Sequence, residues 1–153
     1  MALIDRKRRR NSASHTMRVG MMLHQAASRW QRLANEALSE VGLNHTQYVI
    51  LWGVHTMSTE GITPTQVELS AYTGTDVMLT SKSLRTLEEL GLVVRVSHPT
   101  DTRARCISLS EQGLSTFHQA ETLILDVEQR FFGNADPQTL RTDLVPLLSN
   151  TAP

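Results

Sequence analysis

Two arginines, Arg103 and Arg105, close the polar stretch that runs from His98 through Pro99 and Asp101. In extended backbone a spacing of two points both side chains the same way. Asp101, two residues before Arg103, falls on the same side. A carboxylate there can hold Arg103 in one pose and leave its remaining guanidinium donors free for phosphate oxygens or base edges. The same residues also fit a solvated loop with a weak surface ion pair. A second basic pair, Lys82 and Arg85, lies upstream at helical spacing.

These side chains need elements to position them. Leu92 to Val96 is a β-branched run directly after Gly91, and glycine is the usual left-handed helix stop. Cys106 to Leu109 is a second short run with apolar residues on two faces, and Pro99 makes the segment between them a loop. The pattern predicts a β-hairpin with a basic tip.

Residues 76–90 predict a helix, with Val77, Thr80, Leu84 and Leu87 towards a core. Met78, Lys82, Arg85 and Glu89 fall opposite, with Leu79 and Ser81 on the flanks, and Thr75 and Asp76 supply a cap and a first-turn acid. Upstream, Thr63 and Gln66 fit a capping box with Pro64 at the first helical position, and Gly74 ends a short helix. Two helices joined by a glycine turn form a helix-turn-helix, and the basic hairpin behind it makes a winged helix. The outer face of the second helix, with Met78, Ser81, Lys82 and Arg85, has the composition that a recognition helix needs, and also that of an ordinary solvated charged face. Thr65 and Gln66, at the start of the first, face a phosphate.

A formal net charge of zero argues against DNA binding, but the charge is unevenly spread. Arg6, Lys7, Arg8, Arg9 and Arg10 stand against Asp5 alone, while acids dominate residues 111–153. The local field at a binding surface matters more than the total. The basic run predicts either a solvated tail or an arm that touches DNA. No apolar run is long enough to span a membrane and no signal peptide is visible. A single cysteine, Cys106, fits the cytosol. The histidines lack close metal-ligand spacing, so neither a metal nor another cofactor is expected. No phosphate loop, nucleophile motif or carboxylate pair points to an enzyme.

The fold class expected is mainly α with a small β-hairpin, in four regions. Residues 1–14 are a basic arm without fixed structure. Residues 15–42 are a helix with Leu23, Ala27, Trp30, Ala34, Ala37 and Val41 on one apolar face. Residues 43–112 are the winged helix-turn-helix, including a helix from about Thr46 to Met57. Residues 113–150 hold two more helices, Leu114 to Phe132 and Thr139 to Leu148. Terminal helices with leftover apolar faces need a partner.

Residues 43–113 resemble the multiple antibiotic resistance regulator (MarR) family of winged-helix transcription factors. The matching steps are Gly42-Leu43 with Gln47-Tyr48, Glu68-Leu69 with Gly74 and Asp76, Leu87-Glu88 with Gly91-Leu92-Val93, Asp101 with Arg103-Ala104-Arg105, and Leu109-Ser110 with Gly113. Each step is weak alone; their order and spacing are specific. The resemblance implies a homodimer, interlocked by its N- and C-terminal helices, on a pseudo-palindromic operator in double-stranded DNA, usually as a repressor. It also implies that Arg103, steadied by Asp101, lies in or near the minor groove.

One departure is Val77-Met78-Leu79, where the family commonly has a charged residue followed by Ser and Thr. Met78 there suits apolar contact with a thymine methyl. Family members often bind small aromatic or phenolic effectors between the dimer layer and the DNA-binding lobe. The corresponding candidates are His24, Trp30, Tyr48, Trp52 and His55, residue types that serve equally as core or interface packing. Peroxide-sensing relatives carry a cysteine near the start of the first long helix, and this chain has none there. The alternative is a winged-helix protein-interaction module, discriminated by whether Lys82, Arg85, Arg103 and Arg105 share one surface.

Overall fold

The structure, a computed structural model, describes residues 18–98 and 105–149. The basic arm, Asp101 and Arg103 lie outside the described residues. In chain order the elements are α1 (Val19–Leu38), a 3₁₀ turn (Ser39–Val41), α2 (His45–Thr59), α3 (Gln66–Thr73), α4 (Val77–Glu89), β1 (Val93–Ser97), β2 (Arg105–Leu109), α5 (Glu111–Phe132) and α6 (Pro137–Ser149). The architecture is mainly α with one antiparallel hairpin, pairing Val93 with Leu109 and Ser97 with Arg105.

The chain forms two compact units that divide between Leu33 and Ala34. In the first, Val19, Met21, Met22 and Leu23 of α1 are exposed. In the second, the last turn of α1 contributes Ala34 and Leu38 to the core. The expected apolar stripe is therefore buried only at its C-terminal end, where Ala34 lies. The helix also stops four residues early, at Leu38, and Gly42 closes the 3₁₀ turn in the left-handed region. Ile50, Leu51 and Val54 of α2, Leu69 of α3, Leu84 and Leu87 of α4, Ile107 of β2 and Phe117 of α5 complete the centre.

Local chemistry explains several motif residues. Asn44 accepts from the Gln47 amide and donates its own amide to Gln47 Oε1, each at 2.9 Å, so Gln47 completes the capping box of α2. Ser110 caps α5 by accepting from the Gly113 amide at 2.9 Å, and donates its hydroxyl to the Gly91 carbonyl at 2.6 Å. A Cβ on Gly113 would stand 1.8 Å from the backbone oxygen of Leu92, so α5 meets the strand at a distance that only glycine permits.

The expected Thr63–Gln66 capping box is corrected. The box is Thr65 with Glu68, two residues further on, and Pro64 precedes α3. Pro64 is fully buried, and its carbonyl accepts from the Ile107 amide at 2.7 Å. Thr65 forms an isolated antiparallel bridge with Cys106. That pairing holds residues 64–65 extended, so the helix starts only after them. Cys106 and Ile107 are adjacent yet both buried, so both faces of β2 are covered there.

α6 buries no residue, leaving Leu144, Val145, Leu147 and Leu148 exposed. Among the described residues no helix is long and apolar enough to cross a membrane.

Candidate nucleic-acid interface

The helix-turn-helix is α3, the turn at Gly74–Asp76, and α4. Gly74 takes the left-handed conformation, φ 65°, that the reversal requires. The buried Ser70 hydroxyl donates to the Thr75 carbonyl at 2.7 Å and locks the turn from the α3 side. Asp76 caps α4: its Oδ1 accepts from the amides of Met78 at 2.9 Å and Leu79 at 3.1 Å. Thr75 therefore serves the turn, while the cap is Asp76 alone. Thr80, fully buried, donates its hydroxyl to the Asp76 carbonyl at 2.9 Å.

The inner face of α4 is Thr80, Ser83, Leu84 and Leu87. Val77, expected there, is 49% exposed. Ser83 takes a buried place that its polarity concealed. The outer face forms an open depression lined by Asp76, Met78, Leu79, Lys82, Arg85, Thr86 and Glu89. Lys82 and Arg85 are exposed, and among the described residues no acid lies within ion-pair distance of either. Ser81 is half-buried, and its carbonyl lies 3.5 Å from the Arg85 Nε that donates to it.

An ion pair unseen in the sequence secures the far end of α4: Arg95 Nε of β1 meets Glu88 Oε2 at 3.0 Å. The pair is half-exposed, so its worth is positional more than energetic. Arg105, at the outer end of β2, donates to Ser97 Oγ at 3.2 Å and does not line the α4 depression. Of the four basic residues expected on one surface, Lys82 and Arg85 are thus brought together. Arg105 stays with the hairpin, and Arg103 falls outside the described residues.

The start of α3 also differs from expectation. The Thr65 amide and hydroxyl both donate to Glu68 Oε2, at 2.7 and 2.8 Å. These bonds hold the Glu68 carboxyl below its ordinary pKa. Thr65 is therefore committed within its own cap, beside a carboxylate, and is a poor phosphate donor. Gln66 is half-buried at the first position of the helix.

The aromatic candidates separate. Tyr48 is buried and stacks on Phe117 at 6.1 Å, and His55 packs on the same ring at 4.6 Å and on His118 at 5.6 Å. Burial, then the charges of Glu121 and Glu128, push the Tyr48 hydroxyl up to about 12. His55 also lines a second depression with Ser58, Thr59, Ser108 and Glu111. Trp52 stacks instead on Tyr72, at 5.6 Å. His24 and Trp30 belong to the first unit. Within the second unit, then, Tyr48 and His55 share a neighbour and Trp52 does not join them.

Residues 39–128 match the ArnR1-like, winged-helix domain family. The chain is 36% identical over 116 residues to the uncharacterized HTH-type transcriptional regulator YdcH of Bacillus subtilis (strain 168), covering 76% of this chain and 79% of that protein. A mutant MarR from E. coli complexed with operator DNA has a similar structure, with a TM-score of 0.73, 26% identity and coverage of 88% of this chain and 94% of that one. Bordetella bronchiseptica BpsR, whose DNA binding is regulated by 6-hydroxynicotinic acid, shares the fold at a TM-score of 0.77 and 18% identity, over 90% of this chain and 96% of that one. With the helix-turn-helix, the hairpin and the capped α4 in place, these likenesses have one meaning: the chain belongs to the MarR family of winged-helix transcriptional regulators.

Proposed function

We propose that the chain acts as a homodimer that binds a pseudo-palindromic operator, with α4 in the major groove and the hairpin tip beside it, and represses the genes it controls. The observation that carries the reading is the outer face of α4. Its inner side is anchored by fully buried Thr80, Leu84 and Leu87, while Lys82 and Arg85 stand exposed with no acid partner among the described residues. A rigid helix carrying unneutralised cations matches the positioning role that phosphate contacts play. The E. coli relative with operator DNA supports the choice of partner.

The dimer reading is supported by exposed apolar side chains at both ends of the chain, on α1 and α6. A two-fold dimer sets two α4 helices about one DNA turn apart. Asp101 and Arg103 complete the wing in this reading. Release by a small aromatic acid fits the His55 depression, with Tyr48 behind it through Phe117. Such a ligand acts only by favouring a lobe spacing that mismatches the operator. The protein is then a cytoplasmic regulator without a catalytic role.

The test is fluorescence anisotropy on the full chain with duplex DNA flanking its own gene, titrated with salt. Arg103→Ala weakens binding and lowers the salt slope by roughly one unit. An unchanged slope removes the wing from the interface. A thermal-shift screen of aromatic acids addresses the effector, and a hit counts only if it also releases DNA.

A further inference from the structure

We propose that the first turn of α4 reads the 5-methyl groups of thymines, through an apolar tip formed by Val77, Met78 and Leu79. The inference rests on the DNA-binding reading above and adds what the bases must carry. These consecutive side chains are 49%, 73% and 44% exposed. At about 100° per residue they fan around most of the leading end of the helix. No polar residue interrupts them in the chain.

The polar groups of this end are already engaged. Asp76 takes the amides of Met78 and Leu79, and its carboxylate stands where a phosphate would bind a free helix N-terminus. Thr80, the next hydroxyl along, is fully buried and bonded to the Asp76 carbonyl. The first turn itself, Val77 to Thr80, therefore has neither a phosphate seat nor a free side-chain donor, and the next hydroxyl, that of Ser81, is half-buried.

The occupant follows from the flanking charge. Lys82 and Arg85 line the same depression as Met78 and Leu79 and lack acid partners among the described residues. Glu89 lines the same depression, and a carboxylate there disfavours close approach of phosphates to the C-terminal half of the helix. Cations held on phosphates thus bring the apolar tip to the base edges. The major groove of ordinary DNA presents one apolar group there, the thymine methyl.

The experiment uses the full-length protein and duplexes that it selects from a randomised library. Each thymine of a selected half-site is replaced by deoxyuridine, which removes only the methyl, or by 5-bromodeoxyuridine, which refills its volume. Wild type loses about fourfold in affinity per contacted methyl and regains it with the bromo base. The Met78→Gln/Leu79→Gln variant changes exposed positions to another good helix former and keeps its fold. It separates thymine from uracil by less than twofold. Equal wild-type affinity for both bases overturns the proposal while leaving DNA binding intact. Equal loss in wild type and variant assigns the effect to DNA shape and also overturns it. Loss of self-association in the variant with thymine discrimination retained gives the tip to a protein contact instead. Failure to enrich any sequence removes the DNA reading and this inference together.

Discussion

α4 and α6 have the same length, thirteen residues, and both expose large apolar side chains. They differ beneath. α4 has an inner face of Thr80, Ser83, Leu84 and Leu87 that the body covers, so it folds for its own reasons. Its exposed Val77, Met78 and Leu79 are a surplus beyond what folding needs. α6 buries nothing, and Leu144, Val145, Leu147 and Leu148 are all exposed. Isolated helices this short are marginal in water and take their stability from packing. The exposed side chains of α4 thus read as equipment for a ligand, whereas those of α6 read as half of a structural contact.

The contrast is broken most sharply by truncating one leucine in each helix. Leu84→Ala should cost about 2–5 kcal/mol in denaturant unfolding, because the cavity lies in the centre of the core. Leu148→Ala, at a side chain 85% exposed, should leave the unfolding of the dissociated chain unchanged. A large cost at Leu148 in dilute protein would show that α6 packs on its own body. The next test adds charge: Leu147→Asp with Leu148→Asp should weaken self-association about a hundredfold or more in sedimentation, from two apolar side chains lost to the contact. A monomer in both wild type and variant would end the dimer reading.

A smaller effect is expected on the α4 side. Lys82→Ala and Arg85→Ala should each weaken DNA binding about tenfold at moderate salt and flatten the salt slope by roughly one unit, without moving the thermal midpoint. Loss of stability in place of loss of binding would make α4 as structural as α6.

The smallest effect concerns Tyr48 of α2, at the seam with α5. The neutral Tyr48 hydroxyl is favoured in the folded state, since its pKa rises from 10.0 to about 12. A raised folded pKa contributes stability that is complete below pH 10 and is lost as pH climbs towards 12. Tyr48→Phe should therefore flatten the alkaline limb of a stability–pH profile between those values and leave it unchanged at pH 7. An identical alkaline limb in both proteins would show that the ring does not hold the α2–α5 seam.

Much of this was legible in the amino-acid order, because helical period and turn chemistry are local. Spacing alone puts Thr80, Leu84 and Leu87 inward and Lys82, Arg85 and Glu89 outward, as they lie. Gly74 and Gly91 marked the ends of α3 and α4, and both have positive φ. The errors occurred where distant contacts choose between equivalent local patterns. Thr63–Gln66 and Thr65–Glu68 both fit the capping-box spacing, and the bridge from Thr65 to Cys106 selects the second. Nothing in the local pattern shows that Val77 is exposed, that Ser83 is covered, or that Arg95 reaches Glu88. Residue type alone does not tell that Trp52 faces Tyr72 while Tyr48 and His55 face Phe117.

The bond from Ile107 to the Pro64 carbonyl and the bridge from Cys106 to Thr65 have a mechanical consequence. They clamp the root of the hairpin to the segment that launches α3, and Arg95 clamps the opposite strand to α4. The wing is then a lever with a fixed fulcrum, its root built into the helix-turn-helix itself. The hairpin and both helices must then travel as a single tool, so in the proposed dimer the spacing between two such tools is the quantity that the proposed effector would adjust.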